Sequence, residues 1–362
     1  MDVLIVDPWL GGSHERWARE YVTFSNLKVE VIGLSARHWK WRMQGGALTM
    51  ARRLQDWVSE HGKPGRLILS SMSDLAAFRG LLPADLRRVP IDLYFHENQF
   101  AYPWEDSAVD RTYQWLNITS ALAADRVFFN SDWNRRSFLE KGERFLRQLP
   151  APRETGVFAR LKSESEVLPL GIDCGAIDSA LTESESNTGV PRLLWNHRLE
   201  HDKNPFDCFA ELCQLQEEGQ DFELIILGED YRNKPEGVDA LLQQLEPRII
   251  QQGYLESRGE YLSWLGKADI LPVTAQHDFF GLSVVEALYA GAYPVLPNAL
   301  VYPEHLPENQ QHLLYQDFGK ALRKSLSDFR TYDPVPIREK LRSYDWPKLV
   351  ARYDRLFGGA GA

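Results

Sequence analysis

The chain has 362 residues, and at about 100–200 residues per domain this length predicts two domains. Its 44% hydrophobic and 25% charged residues are the balance of a folded globular protein, which excludes a disordered chain, a collagen and, with only three cysteines, a disulfide scaffold. The formal net charge is −10, and the surplus acid lies in the second half: residues 1–180 hold 23 basic and 23 acidic side chains, residues 181–362 hold 18 and 28.

The composition also predicts a location. Cys174, Cys208 and Cys213 have no metal-ligand spacing and suit reduced thiols in the cytosol. No apolar run approaches the roughly 18 residues of a membrane span, and the first residues lack the basic region of a signal peptide. We therefore expect a cytoplasmic protein that does not bind membranes, and no feature indicates an obligate protein partner.

Short β-branched runs alternate with longer mixed segments along the whole chain, a pattern typical of parallel sheets with crossover helices. Strands are predicted near residues 3–7, 28–33, 66–70, 92–96 and 126–130, and near 192–196, 223–227, 249–254, 269–273 and 293–297. Helices are predicted at 205–218, 260–266 and 346–357. The pattern predicts an α/β fold with two doubly wound domains in tandem.

The domain boundary is predicted after residue 172, giving an N-terminal domain over 1–172 and a C-terminal domain over 173–345. The closing helix in 346–362 could pack back on the N-terminal domain. A polar stretch at 182–189 is predicted to be a loop, and residues 149–165, with two prolines and several basic side chains, are predicted to be irregular.

Two glycines, Gly11 and Gly12, follow the first predicted strand and precede a predicted helix. Glycines there let the backbone approach a ligand closely, and the amides at a helix start favour a phosphate. The spacing is not the Gly-x-Gly-x-x-Gly dinucleotide fingerprint. A plain turn is the alternative explanation.

A loop, a helix and a glycine stop are predicted over residues 277–291. Glu286 is a lone carboxylate among apolar residues, and such a group is rarely buried unless something binds it. Asp278 lies just before the same helix, and free amides between the two carboxylates could hold an anion. Those amides belong to Phe280, Gly281 and Leu282. The alternative is a surface helix with one exposed glutamate.

Arg198 and Lys203 follow the first strand of the second domain, at the carboxyl edge where such sheets bind ligands. Together they could neutralise a diphosphate, the arginine as a fork and the lysine as a point charge. On this segment alone, two solvated cations explain the pattern equally well.

The Gly-Gly loop, the Arg-x4-Lys pair and the acid-x7-Glu pair together resemble the retaining GT-B glycosyltransferases of family 4. Further motifs narrow the resemblance to the tRNA-queuosine alpha-mannosyltransferase family. They are Gly-Gly-Ser-His (11–14), Trp-Lys-Trp-Arg (39–42), Tyr-Phe-His-Glu-Asn-Gln (94–99), Phe-Asn-Ser (129–131), Phe-Phe-Gly (279–281) and Leu-Val-Tyr-Pro-Glu (300–304). One departure is that Asp278 stands where the usual pair has its first glutamate.

The resemblance implies a GT-B fold, in which two Rossmann-like domains face each other across a cleft. It implies that Arg198 and Lys203 neutralise the donor diphosphate, Glu286 holds the nucleotide ribose and Asp278 contacts the transferred sugar. The remaining donor-binding residues it implies are Gly11, Gly12, Gly228, Tyr254, Phe280, Gly281 and Leu282. The chain has no Asp-x-Asp motif, and because the two cations could take a metal's charge role, we expect no metal and no cofactor.

His96 ends a predicted strand, where a lone histidine is usually structural. The resemblance places it at the reacting centre with Asp278, where it would bind the sugar or orient the acceptor. A double displacement is not expected, because the chain offers no clear pair of carboxylates placed for it. The family instead implies that the leaving phosphate oxygen takes the acceptor proton.

An acid-free stretch at 31–55 contains five basic residues with Trp39 and Trp41 among them. Aromatic side chains interleaved with cations suit an unpaired nucleic-acid base and its phosphates. The alternative is that the tryptophans are core residues. The resemblance favours an anticodon-loop surface with Trp39, Trp41 and Arg42. It adds further acceptor-binding residues, which are Ser13, His14, Glu97 and Asn98.

The resemblance thus implies a retaining enzyme that moves mannose from GDP-mannose to the cyclopentenediol of queuosine in a tRNA anticodon loop. Two alternatives remain open. The first is a transferase of the same fold with another sugar donor and a small-molecule or lipid acceptor, and the second is a tRNA-binding relative without turnover.

Overall fold

The structure is a computed structural model, and it describes residues 1–103, 110–151, 153–154, 156–182, 189–228 and 234–358. The chain divides into two compact units. Unit 1 comprises Met1–Gly171 and Trp346–Ala362, and unit 2 comprises Ile172–Asp345. Each unit is built on one six-stranded sheet with its own buried core.

Unit 1 carries a fully parallel sheet in the order β2-β1-β3-β4-β5-β6. Its strands are β1 (Val3–Leu10), β2 (Val29–Ser35), β3 (Arg66–Ser70), β4 (Ile91–Phe95), β5 (Arg126–Phe129) and β6 (Ser165–Val167). Its first six helices are α1 (Gly12–Phe24), α2 (Trp39–His61), α3 (Leu75–Leu81), α4 (Arg111–Ala123), α5 (Asp132–Arg147) and α6 (Gly156–Glu164). Because β2 and β3 lie on opposite sides of β1, the chain reverses direction across the sheet there. Ligands of doubly wound folds bind beyond the strand ends at such a switch point.

Unit 2 carries a second fully parallel sheet in the order β12-β11-β10-β7-β8-β9. Its strands are β7 (Arg192–Trp195), β8 (Glu223–Ile226), β9 (Ile249–Gln252), β10 (Ile270–Pro272), β11 (Tyr293–Pro297) and β12 (Leu314–Tyr315). Its helices are α7 (Cys174–Thr182), α8 (Pro205–Glu217), α9 (Val238–Leu245), α10 (Arg258–Lys267), α11 (Leu282–Ala290), α12 (Tyr302–His305), α13 (Phe318–Asp328) and α14 (Val335–Leu341). The switch point of this sheet lies between β7 and β10.

The last helix, α15 (Trp346–Phe357), belongs to unit 1. The Trp346 indole is fully buried, and its Nε1 donates to Glu20 at 2.6 Å. At the other end of the helix, the carbonyl oxygens of Leu356 and Phe357 accept hydrogen bonds from two arginines that also bind the buried Asp92. The start of α15 is therefore fixed on α1 and its end on the sheet of unit 1.

The predicted fold class is confirmed: both units are α/β with parallel sheets. The ten predicted strands all form, each within three residues of its predicted ends. The edge strands β6 and β12 were not predicted, because strands this short carry no periodic signal. The prediction of irregular structure over 149–165 is wrong, since α6 lies within it and buries Phe158 and Leu161. Most of the loop predicted at 182–189 lies outside the described residues.

Candidate functional site

Unit 1 holds a buried carboxylate at its switch point. Asp7 lies in β1 with its side chain fully buried. Its Oδ1 accepts hydrogen bonds from the Ser70 hydroxyl at 2.6 Å and the Trp9 amide at 2.8 Å, and its Oδ2 lies 2.9 Å from Nδ1 of His14. Burial raises the pKa of Asp7, but His14 and the hydrogen bonds outweigh burial and lower the pKa below its ordinary value. Asp7 is therefore a charged group at neutral pH.

His96 directly follows β4, and its imidazole stacks on that of His14 with 3.9 Å between ring centroids. The indole of Trp17 lies edge-on to His96 at 4.8 Å. Both His96 ring nitrogens are buried, and neither finds a hydrogen-bond partner among the residues the structure describes. Burial, and then the neighbouring His14, hold the pKa of His96 well below its usual range, so the ring is neutral. A buried polar ring without partners is a candidate for ligand binding.

The Gly-Gly turn brings α1 to this pocket. A Cβ on Gly11 would lie 2.5 Å from the Cβ of Ala36, and Gly12 has a φ of +55°. Both positions therefore favour glycine, one through space and the other through backbone conformation. Helix α1 begins at Gly12, so Ser13 and His14 fall in its first turn, with Ser13 exposed and His14 buried.

Glu97 and Asn98 follow His96 in the same loop. The Glu97 carboxylate accepts a hydrogen bond from Gln99 at 3.1 Å. Asn98, predicted to contact the acceptor, is fully buried: its amide nitrogen donates to Asn134 and Ser137. Its oxygen accepts from the backbone amides of Phe100 and Ala101. Its side chain holds the loop and leaves no atom for an acceptor.

The acid-free stretch forms most of β2 and most of α2. Trp39 is partly buried and packs against the cluster of Met43, Met72 and Tyr113, which matches the core alternative for this tryptophan. Trp41 is 64% exposed, which is unusual for so large an apolar side chain. Arg42 is half-buried. Of the two tryptophans, Trp41 is therefore the one that a partner could contact.

In unit 2 a shaped loop precedes α11, beyond the end of β10. Gly281 adopts a φ of +69° at the N-cap position, so the first turn begins at Leu282 with Phe280 buried below it. Asp278 lies in the loop, where its Oδ2 accepts a hydrogen bond from the Tyr302 hydroxyl at 3.0 Å. His305 donates from Nε2 to the Phe280 carbonyl at 2.7 Å. Two side chains of α12 thus hold the loop in place through hydrogen bonds.

Lys203 joins the two sides of the unit 2 switch point. Its Nζ donates to the His277 carbonyl at 2.6 Å and lies 3.3 Å from Asp202 and 3.9 Å from Asp278. The side chain is only 13% exposed. Arg198 is more open, with 47% of its side chain exposed, and it pairs with Glu200 at 2.9 Å. The cations predicted for a diphosphate are thus held among acidic side chains.

The backbone segments that follow β7 and β8 lie very close together in the same region. A Cβ on Gly228 would lie 1.8 Å from the His197 carbonyl oxygen, so only glycine fits there. His197 is buried, and its Nε2 has no hydrogen-bond partner in the described ranges. Burial, followed by Lys203, lowers the pKa of His197 to about 4. Neutral histidines therefore occur at the strand ends of both units.

Glu286 is 1% exposed in α11, as expected for a ligand-binding carboxylate, but it is paired. The Arg258 guanidinium, at the start of α10, donates to both carboxylate oxygens of Glu286, one of them at 3.3 Å. Tyr254, predicted to bind the donor, is 62% exposed.

Three residues of the candidate sites were not predicted from the sequence: Asp7, Tyr302 and Arg258. Asp7 could have been found as the one charged residue in the apolar run of β1. Tyr302 could have been found because it lies in the Leu-Val-Tyr-Pro-Glu motif. The sequence around Arg258 carries no motif that indicates a functional role for this residue.

Within the described ranges, no cluster of three or more His, Cys, Asp or Glu side chains could hold a metal ion. In the same part of the chain, no helix is both long and apolar enough to cross a membrane.

Comparisons with known proteins cover both units. The family model for the tRNA-queuosine alpha-mannosyltransferase N-terminal domain matches residues 2–172, and that for glycosyl transferases group 1 matches residues 178–340. A Drosophila melanogaster protein named tRNA-queuosine alpha-mannosyltransferase is 36% identical over 335 residues, which are 90% of this chain and 86% of that protein.

Solved structures share the fold at low sequence identity. A sucrose-phosphate synthase from Thermosynechococcus elongatus matches with a TM-score of 0.71 at 13% identity, covering 99% of this chain and 98% of its own. A UDP-forming trehalose-phosphate synthase from Burkholderia xenovorans matches with a TM-score of 0.66 at 16% identity, covering 99% of both chains. These matches identify the fold as GT-B.

Proposed function

The chain belongs to the tRNA-queuosine alpha-mannosyltransferase family, and from that membership we propose that it transfers mannose from GDP-mannose to queuosine in a tRNA anticodon loop. Beyond the family, the observation that carries the proposal is His96, a neutral buried ring whose two nitrogens have no partner in the described part of the chain. Such a ring can hydrogen-bond hydroxyl groups without charge, as a sugar or a diol requires.

The donor part of the proposal rests on unit 2. Lys203 and Arg198 would neutralise the diphosphate, and the free amides at the start of α11 would receive its oxygens. Glu286 would accept hydrogen bonds from the ribose after exchanging its contact with Arg258. Because two cations supply the positive charge, we propose that no metal is needed.

The reaction would proceed with retention. The bond between the anomeric carbon and the phosphate oxygen breaks, and its electron pair leaves with GDP. The acceptor hydroxyl oxygen bonds to the same face of that carbon, and its proton passes to the departing phosphate oxygen. His96 would orient the hydroxyl groups and would not act as a nucleophile.

The acceptor part rests on unit 1, where Trp41 projects from an acid-free segment that holds Arg37 and Lys40. An exposed indole beside cations can stack on an unpaired base while the cations bind phosphates. Since tRNA is the acceptor in this proposal, we place the activity in the cytoplasm.

The direct test incubates the protein with GDP-mannose, EDTA and queuosine-containing tRNA, and follows the nucleosides by mass spectrometry. We expect queuosine heavier by one hexose, and parallel reactions with GDP-glucose, UDP-glucose and UDP-galactose should give less product. Absence of product, together with measurable GDP binding, would contradict the acceptor assignment. Product only after Mg²⁺ or Mn²⁺ is restored would contradict the metal-free proposal.

A second test addresses the RNA surface. We expect Trp41→Ala to weaken tRNA binding by about 5–100-fold, the loss of one base stack, and to leave the KM for GDP-mannose unchanged. Trp264→Ala in unit 2 is the control, because that indole is covered by Lys267, whose Nζ lies 4.2 Å from the ring centroid. Equal tRNA affinity of the two variants would exclude Trp41 as a stacking platform.

A further inference from the structure

We propose that Asp7 is a positioning residue that fixes the tautomer of His14, so that Nε2 of His14 accepts a hydrogen bond from the acceptor hydroxyl adjacent to the one that reacts. This inference rests on the proposed function, because it assigns the chemistry by which unit 1 would recognise a diol. It adds Asp7, which no motif in the chain marked, to the acceptor site.

The first step concerns the proton between the two residues. An ionised carboxylate only accepts hydrogen bonds, and Asp7 Oδ2 lies 2.9 Å from His14 Nδ1, so Nδ1 carries the proton. The carboxylate is held in place by Ser70 and Trp9 on its other oxygen. In the Nδ1-protonated form that we propose, the lone pair of His14 lies on Nε2, where no described residue donates a hydrogen bond.

The second step concerns burial. A fully buried carboxylate is destabilising unless it is hydrogen-bonded, and replacing it with an apolar side chain would be easier for the fold. The ring that Asp7 contacts lies in the first turn of α1, beside the Gly-Gly turn and at the switch point where doubly wound folds bind ligands. This arrangement suits a carboxylate that orients an imidazole for a ligand.

The third step concerns the neighbouring ring. His14 stacks on His96 at 3.9 Å with 26° between the ring planes, so fixing one imidazole also fixes the plane of the other. His96 offers two unpartnered nitrogens and His14 offers one acceptor. Two adjacent imidazoles of this kind match two adjacent hydroxyl groups, which is the chemistry of a diol.

The decisive variant is Asp7→Asn. The Trp9 amide is a donor and faces Oδ1, so the asparagine oxygen must occupy that position. Its NH2 group then faces Nδ1 of His14, which has to become the acceptor, and the proton moves to Nε2. The variant therefore preserves the shape of the pocket and inverts the tautomer of His14.

The first measurement is ¹⁵N NMR of the histidine rings in the ligand-free full-length protein, with His14 assigned by comparison with His14→Gln. We expect a proton on Nδ1 of His14 in the wild type and on Nε2 in Asp7→Asn. A proton on Nε2 in the wild type would overturn the proposal, whatever the enzyme transfers and whether or not the variant folds.

The second measurement compares transfer with hydrolysis of GDP-mannose in the absence of tRNA. We expect Asp7→Asn to slow transfer to queuosine by about 10–100-fold, as for other residues that hold a functional imidazole, with hydrolysis and the donor KM unchanged. An equal loss of transfer and hydrolysis would assign Asp7 to general folding and overturn the proposal.

The matched control is Asp92→Asn, another fully buried carboxylate in the same sheet. Asp92 lies near the start of β4 and pairs with Arg66 and Arg126, whereas His96 follows the end of that strand. We expect this variant to melt earlier while its ratio of transfer to hydrolysis stays at the wild-type value. If the wild type transfers no sugar to tRNA, the proposed function fails, and the NMR result still decides the tautomer.

Discussion

The switch points of the two sheets hold their polar side chains in opposite ways. In unit 1, one buried carboxylate orients one imidazole, and a second imidazole, His96, is left without a hydrogen bond from any described residue. In unit 2, the charged side chains form ion pairs with one another: Lys203 lies between Asp202 and Asp278, and Glu286 is paired with Arg258. Under the proposed function, the first pocket would receive neutral hydroxyl groups and the second an anion that replaces an ion pair.

This difference has an energetic side. A neutral polar ring without a partner lowers stability by about 1–3 kcal/mol, and a bound ligand or water molecule can restore the lost hydrogen bond. An ion pair already satisfies both of its members, so a ligand must exchange contacts with the pair. Substitutions in unit 1 should therefore separate activity from stability, whereas substitutions in unit 2 should alter both.

The largest effect is expected in unit 2. Lys203→Met removes the cation between two carboxylates, and we expect GDP binding measured by calorimetry to weaken by about 10–100-fold, the value of one charged hydrogen bond. The midpoint of thermal unfolding should fall as well, because Asp202 and Asp278 then face each other without a cation. Lys320→Met is the control, since Lys320 is 86% exposed in the same unit. Equal GDP affinity in both variants would remove Lys203 from the donor site.

A substitution in unit 1 should have the opposite effect on stability. His96→Phe keeps an aromatic ring against His14 and Trp17 and removes two buried unpartnered nitrogens. We expect the free energy of unfolding to rise by about 1 kcal/mol while transfer falls by at least about tenfold. Activity assays and chemical denaturation of the same preparation measure both. Unchanged turnover would remove His96 from the reaction.

The neighbouring residue supplies the control. Tyr94 donates its hydroxyl proton to the Leu168 carbonyl at 2.7 Å, so Tyr94→Phe leaves a buried acceptor without its donor. We expect this variant to lose about 1–3 kcal/mol of stability and to retain the turnover of the folded enzyme. If both variants lost stability together, the orphaned nitrogens of His96 would not be the source of the difference.

The fold was largely predictable because parallel strands are long apolar runs with clear breaks. The runs at Val3 to Val6 and at Leu67 to Leu69 are fully buried, and each was predicted as a strand. Helix α6 was not predicted, because its two buried side chains lie among basic and polar residues. Amphipathic helices this short carry less periodic signal than a buried strand.

The site was predictable where one segment carries both the residue and its reason, as at Gly11 or Gly281. Contacts between distant segments were not predictable, because nothing in the chain links Arg258 to Glu286 or Tyr302 to Asp278 before folding. The same limit applies to Asn98, which the sequence motif placed at the acceptor and the fold commits to Asn134 and Ser137.

The last effect is expected on stability alone and concerns His305, which donates to the loop before α11. Burial lowers the pKa of His305 to about 4, with Asp278 and Lys340 as its charged neighbours. As the pH falls below about 6.5, the unfolded chain binds a proton that the folded unit does not, so stability decreases until the pH reaches the folded pKa. The loss is about 1.4 kcal/mol for each pH unit in that window.

His305→Gln should remove this contribution, because glutamine can still donate to the Phe280 carbonyl but does not titrate. We therefore expect the difference in unfolding free energy between pH 6.5 and pH 5 to be smaller in the variant by about 2 kcal/mol. Urea denaturation at the two pH values, followed by tryptophan fluorescence, measures this difference. His312→Gln, an exposed position in the same unit, should leave the difference unchanged. If both variants shift the pH dependence alike, burial of His305 does not set this contribution to stability. The assignment of His305 as a neutral hydrogen-bond donor to the loop before α11 would then have to be abandoned.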